Sequence, residues 1–229
     1  MCGRFTIAVN KEEVKEYLYH QFGIEDFQID YFLPRYNIAP GEKIIAIIGD
    51  GKGYRAGLMK WGFIPHFQKS EKSAYKMINA RAESIVEKPS FKNAFLKRRC
   101  LLLTDGYFEW QKDGKLKRPH RITLKDQKLF TFAGIWNNFT FEDGQKYATC
   151  AIITAASGRE MRKIHDRIPV IINPEEKATW LNPALNDPLK LSELIKPLPD
   201  ELFFTYQVSS IVNNPRNDNE ECIKPIAVK

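Results

Sequence analysis

The chain has 229 residues, 43% hydrophobic and 12% aromatic, which is enough for an ordinary packed core in one large domain or two small ones. No stretch approaches the roughly 20 apolar residues of a membrane span, and the first residues lack a basic-then-apolar secretory pattern, so a cytoplasmic, nucleoid-associated protein is expected. With 35 Lys+Arg against 28 Asp+Glu the net charge is +7, a moderately basic balance without a long basic run that suggests a polyanionic partner but does not establish one.

In chain order, "GRFTIAV" reads as a strand and "NKEEVKEYLYHQF" as a surface helix. Asn10 is its cap, Glu13 stands at the capping-box position, and Val14, Tyr17 and Leu18 recur at helical spacing. "LPRYNIAPGEK" looks like a tight loop with Pro34 and Pro40. "KIIAIIGDGKGYRAGLMKWGF" predicts two strands joined at the Gly-rich turn. "SFKNAFLKRR" predicts a short helix capped by Ser90, with Phe91, Ala94 and Phe95 on one face. From Cys100 to Ala156 the alternation of apolar β-formers with turn dipeptides has the rhythm of an antiparallel meander. "SGREMRKIH" gives one or two helical turns, and "NPEEKATWL" a helix with Asn173 as cap and Pro174 in first position. A Pro-rich stretch carries another short helix before a last strand, "LFFTYQVS". No repeat, linker or low-complexity segment divides the chain, so residues 1–229 read as one α+β domain, β-rich and largely antiparallel, with peripheral helices.

Three polar clusters interrupt the apolar strands: Asn79 with Arg81, Glu109, and His165 with Arg167. Residues two apart in a strand address one face. Taken singly, each has a bland reading: solvent-facing edge residues, a salt bridge from Glu109 to an arginine, a helix-capping histidine. Asn37 suits a turn, and Trp61, Phe63 and Phe67 suit a core more than a base-stacking platform. His20, His66 and His120 have no partner at a metal-ligand spacing, and the four cysteines, Cys2, Cys100, Cys150 and Cys222, are too far apart for a zinc site or a small disulfide framework. Free thiols and no metal or cofactor are expected.

Cys2 stands apart by its position. Read blandly it is a small buried hydrophobe. If Met1 is trimmed, however, Cys2 carries a free α-amine of ordinary pKa roughly 7.7–8.0 beside a thiol near 8.5. An aldehyde condenses with both, the amine giving an imine and the thiol closing it to a five-membered thiazolidine.

The segments "MCGRF", "RYNIAPG", "WGF.P", "NARAES", "GYFEW" and "IHDRIPV", in this order, resemble the SRAP family, the SOS-response-associated peptidases or abasic-site processing proteins. The resemblance implies the SRAP fold and a monomeric DNA-damage protein of the SOS response. It would bind single-stranded DNA and trap the ring-opened abasic deoxyribose on Cys2 as a covalent crosslink. It also implies that Asn79, Glu109 and His165 surround the cysteine, and that Arg4, Arg81 and Arg167 face phosphates. Asn37, Pro40, Trp61 and Phe67, which fall in the shared segments or beside them, are carried over as further DNA-binding residues. Glu109 and His165 suit the proton transfers of sugar opening and imine formation. Asn79 suits a hydrogen bond to the Cys2 backbone or the sugar. Where the family pattern has a tryptophan pair after "WG..P.", this chain has Phe67 and Gln68, which weakens the expected wedge on the bases. Two other readings stay open: an N-terminal-cysteine peptidase, including removal of Met1 and possible lyase chemistry at the same site, and a non-covalent single-strand binder.

Overall fold

The computed structural model describes residues 2–28, 30–68, 77–114, 116–142 and 144–226. Twelve strands and four α-helices are assigned among them. The first strand, β1 (Phe5–Ile7), is followed by α1 (Lys11–Phe22), which carries the full capping box between Asn10 and Glu13 and buries Val14, Leu18 and Phe22. An Asn cap of this kind contributes about 1 kcal/mol. β2 (Arg35–Ile38) lies where a loop was expected, because its backbone pairs with β1. β3 (Lys43–Gly49) and β4 (Tyr54–Trp61) form the expected hairpin.

β5 (Asn79–Arg81) is followed by α2 (Pro89–Lys97). This helix buries Phe91, Ala94 and Phe95, but Lys88 is at its cap and Pro89 opens it, so Ser90 lies inside the first turn and does not cap. The proline, whose missing N–H is no loss at that position, sets the start. The meander follows as β6 (Arg99–Thr104), β7 (Gly106–Asp113), β8 (Leu116–Leu124), β9 (Phe130–Thr140) and β10 (Lys146–Ala156). A 3₁₀ turn at Met161–Lys163 leads into β11 (Arg167–Pro169). Pro174–Glu176 is a 3₁₀ turn entering α3 (Lys177–Leu181), and Asn173 donates to the Glu176 side chain instead of capping. α4 (Pro188–Leu194) and β12 (Phe203–Gln207) complete the regular elements.

The strands form two sheets. One has the order β12-β8-β7-β1-β2. In the other, β10-β4-β3-β6-β9 closes on itself because β9 also pairs with β10, giving a small five-stranded barrel that leaves no free edge among these strands. β10 holds more than the ring, pairing in parallel with β5 and antiparallel with β11 beyond it. One buried cluster joins the sheets, with Ile45, Leu102, Phe132 and Ile152 from the barrel side and Phe5, Tyr107 and Ile122 from the five-stranded sheet. Alternation along β7 sends Phe108 to a smaller cluster with Val208, Val212 and Cys222 on the opposite face. Tyr107 and Glu109 therefore face the main core together.

In the barrel, Gly134 admits Cys100 and Leu102 so closely that a Cβ there would lie 2.8 Å from the Cys100 Sγ and 3.0 Å from the Leu102 Cδ1. Overpacking of this kind costs about 1–3 kcal/mol. Gly134→Ala is expected to lower the unfolding free energy by that amount, read as a lower urea midpoint with an unchanged slope of the transition. An unchanged midpoint would show that the barrel relaxes around the methyl.

Candidate active site at the seam of the two sheets

Four side chains named by the sequence meet where the sheets abut. Cys2 and Glu109 come from the five-stranded sheet, the first just before β1 and the second on β7, whose Phe108 N–H donates to the Arg4 carbonyl at 2.9 Å. Asn79 and His165 come from the barrel side, on β5 and just before β11. Asn79 Nδ2 donates to the Cys2 carbonyl at 2.8 Å, tying the start of the chain to the other sheet. The Asn79 Oδ1 is buried and accepts no hydrogen bond among the described residues.

Cys2 is fully buried. Burial pushes its thiol far above the ordinary range, and the Glu109 charge pushes the same way, so the sulfur is protonated at neutral pH. Glu109 is 2% exposed, and burial raises its carboxyl to about 7, with Asp166 adding to the rise. His165 Nε2 lies 3.8 Å from Glu109 Oε2. Burial lowers the imidazole below its ordinary value.

The Arg167 backbone N–H donates to His165 Nδ1 at 3.0 Å, and the Asp166 carboxylate lies 3.0 Å from that same nitrogen. Both cannot be hydrogen bonds of one tautomer. The backbone donor is fixed, whereas the Asp166 side chain is 78% exposed and can turn into water. We assign the proton to Nε2, on the side of Glu109. The site therefore holds a neutral thiol, a carboxyl balanced between its two forms, and a neutral imidazole, because a low-dielectric enclosure disfavours every charged form.

A cavity of about 400 Å³ opens onto Glu109 and His165, lined also by Trp110, Lys112, Lys117 and Asn213. Lys112 and Lys117 are partners across the β7–β8 hairpin, and both are exposed. The sequence reading missed them. The signal was a pair of cations flanking the hairpin turn, legible only once the register was known.

The residues expected to touch DNA divide into two groups. Arg81 is exposed and its side chain makes no hydrogen bond or ion pair among the described residues, and Phe67 is 55% exposed. Pro40 is half-buried, in the turn whose Gly41 N–H bonds the Trp61 carbonyl. Trp61 is fully buried against Phe5 and donates its indole N–H to the Ile78 carbonyl at 3.0 Å, so it belongs to the core and presents no face to a base. Asn37 is also fully buried, its Nδ2 directed at the Val212, Asn214 and Asn217 carbonyls and its Oδ1 accepting from Arg4 Nη1 at 2.6 Å. It organises the C-terminal segment and cannot meet a DNA strand directly.

Arg4 is half-buried, also donates to the Val212 carbonyl at 2.8 Å, and stacks over Trp110. Arg167 forms a two-pronged pair with Glu83, at 2.7 and 2.9 Å, and donates to the Thr154 carbonyl. Of the three arginines expected on phosphates, only Arg81 is outward and unengaged.

Among the described residues no group of three or more His, Cys, Asp or Glu could hold a metal ion, and no helix is long and apolar enough to cross a membrane.

The raised carboxyl has a consequence for stability. Glu109 titrates at about 7 in the folded chain against an ordinary 4.5, so the folded state holds the proton more tightly and stability is lost as pH rises between these values. The ionised form costs roughly 3 kcal/mol above that window. Glu109→Gln is expected to raise the melting temperature at pH 8 and to leave it nearly unchanged at pH 4. An equal effect at both pH values would show that ionisation is not what strains the site.

The family model described as SOS response associated peptidase (SRAP) matches residues 1–215. The chain is 43% identical to the abasic site processing protein YoqW of Bacillus subtilis strain 168, over 98% of this chain and 99% of that one. It is 29% identical to the abasic site processing protein YedK of Escherichia coli K12, over 99% and 100%. A crystal structure of a protein from Bacteroides thetaiotaomicron superposes with a TM-score of 0.85 at 26% identity, covering 99% of this chain and all of the other. A match over nearly the whole chain, with the same fold, makes this chain a member of the SOS response associated peptidase family.

Proposed function

We propose that this protein processes abasic sites by capturing the ring-opened deoxyribose covalently on Cys2, within single-stranded DNA. The observation that carries the reading is the enclosure itself: a buried Cys2 held by Asn79 beside a carboxyl poised near neutrality and a neutral imidazole. The names of YoqW and YedK support abasic-site processing as the activity.

In this reading the α-amine of Cys2, after loss of Met1, attacks the C1′ aldehyde to give a carbinolamine. Glu109 in its acid form protonates the departing hydroxyl, one water leaves, and a protonated imine remains beside the Glu109 carboxylate. The thiol then adds to the imine carbon. A carbon–sulfur bond forms, the electron pair of the C=N bond returns to the nitrogen, the sulfur proton passes to the Glu109 carboxylate, and the product is a thiazolidine with Glu109 back in its acid form.

A strongly raised thiol suits this order, since free thiolate would be scarce and the proton must be taken as the sulfur adds. A carboxyl near 7 can give a proton in the first stage and receive one in the second. His165, whose Nε2 lies 3.8 Å from Glu109 Oε2, borders that carboxyl and stays neutral near pH 7, because burial lowers its imidazole. The strand is held by phosphate contacts from Arg81, Lys112 and Lys117, and Phe67 stacks on a base. Arg4 and Arg167, spent on Asn37 and Glu83, shape the walls.

Incubation with an abasic single-stranded oligonucleotide is expected to give a gel-stable adduct whose mass is the sum of both partners less one water. Cys2→Ala, which keeps an amine but no thiol, should give no stable adduct. A chain shown by intact mass to retain an N-terminal extension should also fail, because an amide nitrogen cannot form an imine. Stable crosslinking by either would refute the thiazolidine. A protein that turns over peptides and leaves abasic DNA untouched would instead establish the peptidase reading, and undiminished strand binding without any adduct the non-covalent one.

The pH profile offers a separate check. The amine must be unprotonated, with an ordinary pKa of roughly 7.7–8.0, and Glu109 must be in its acid form, which is lost above about 7. Crosslinking should therefore follow a bell with its maximum at about pH 7.5. Glu109→Gln should slow the reaction by about 10²–10⁴ and remove the alkaline limb, leaving affinity for undamaged strands near normal. A retained alkaline limb in that variant would assign it to another group.

A further inference from the structure

Away from the seam, a second cavity of about 530 Å³ lies between α1 and the entry to α3. Lys177 closes one side of it and is 6% exposed. Its ammonium donates to the Tyr17 hydroxyl at 3.1 Å and to the Gln21 Oε1 at 2.9 Å. It also lies 5.1 Å from the centre of the Tyr17 ring and 5.2 Å from that of Phe22.

Two neutral acceptors and two ring faces account for the contacts of this ammonium. Its third proton has no hydrogen-bond acceptor among the described residues, and no carboxylate there pairs with it. The nearby Glu13 is bound to Lys128 and to the Asn10 N–H. A buried cation without an anion is costly, and the usual remedies are a counter-ion or loss of the proton. Burial has moved Lys177 part of the way to the second remedy, lowering it to about 8.

We propose that this cavity binds a small organic monocarboxylate, whose carboxylate accepts the third Lys177 proton and whose apolar body lies against Tyr17, Leu129 and Pro174. A monoanion fits better than a phosphate, because the cavity offers one unengaged ammonium proton and carries Glu13 and Glu16 on its rim, which would repel a dianion. The site shares no residue with the Cys2 seam and does not depend on the function proposed for it.

The test is thermal unfolding of the full chain titrated with sodium acetate and with sodium benzoate, ionic strength held constant with sodium chloride. The wild type should show a saturable rise in melting temperature, roughly 5 °C at a hundredfold excess over the dissociation constant. Lys177→Met should lose the response while keeping wild-type crosslinking. In the wild type alone, the Lys177 side-chain NMR signals should shift with the same dissociation constant, a measurement that needs no variant to fold. Binding should weaken above pH 8 as Lys177 loses its proton. The other titratable groups on the lining are Glu13, Glu16, Tyr17, His20 and Lys128; Glu13 and Lys128 pair with each other, and burial pushes the Tyr17 hydroxyl up, so it stays protonated where Lys177 titrates. An equal response in Lys177→Met, or no saturable shift of the Lys177 signals with either carboxylate, would overturn the proposal.

Discussion

The start of a chain is ordinarily the least ordered part of a domain, and here it carries Cys2, on which the proposed reaction turns. The constraint is met by pairing β1 on both edges, with β7 on one side and β2 on the other, although β1 is only three residues long. Phe5, Thr6 and Ile7 are all fully buried. Cys2 lies three residues from this anchor, and the Asn79 amide fixes its carbonyl from the opposite sheet. The closed barrel matters for the same reason, because β5 and β11, which lead to Asn79 and His165, are both supported by β10.

The electrostatics follow from the same enclosure. Dehydration moves Cys2 and Glu109 up and His165 down, so three different chemistries converge on neutral or nearly neutral forms. Of the three, only the Glu109 carboxyl is brought to about 7, where it can exchange a proton near neutral pH. The cost appears as strain in the folded state, of which Glu109 carries a share.

Cationic side chains divide by depth. Arg4, Arg99, Arg121 and Arg167 turn inward, where a planar guanidinium can satisfy several carbonyls or a carboxylate at once. Arg99 does so with the Phe95 and Leu96 carbonyls near the end of α2, the Trp180 and Asn182 carbonyls at the end of α3, and the Leu185 carbonyl between α3 and α4. Arg121 pairs with Asp105 at 2.9 Å beneath the five-stranded sheet. The cations lining the cavity beside Glu109 and His165 are lysines, Lys112 and Lys117, and both are exposed. The formal charge of +7 therefore overstates what the surface offers a polyanion, since part of it is spent on the interior.

The sequence by itself determined the local elements whose causes are local: the capping box of α1, the Gly-rich hairpin, the apolar face of α2 and the alternation of the meander. It also determined which residues deserved attention, since a cysteine behind the initiator methionine and polar residues inside apolar strands are visible without coordinates, and six ordered motifs carried the family. Tertiary structure decided what depends on distant pairing. Arg35–Ile38 became a strand only because β1 needed a partner on its second edge. Asn37 and Trp61 were withdrawn from the surface by contacts with residues 175 and 17 positions away. Arg4 and Arg167 found acceptors that no spacing rule connects to them. The raised carboxyl of Glu109 is of the same kind: the residue type was legible, but its titration is a property of the seam that buries it.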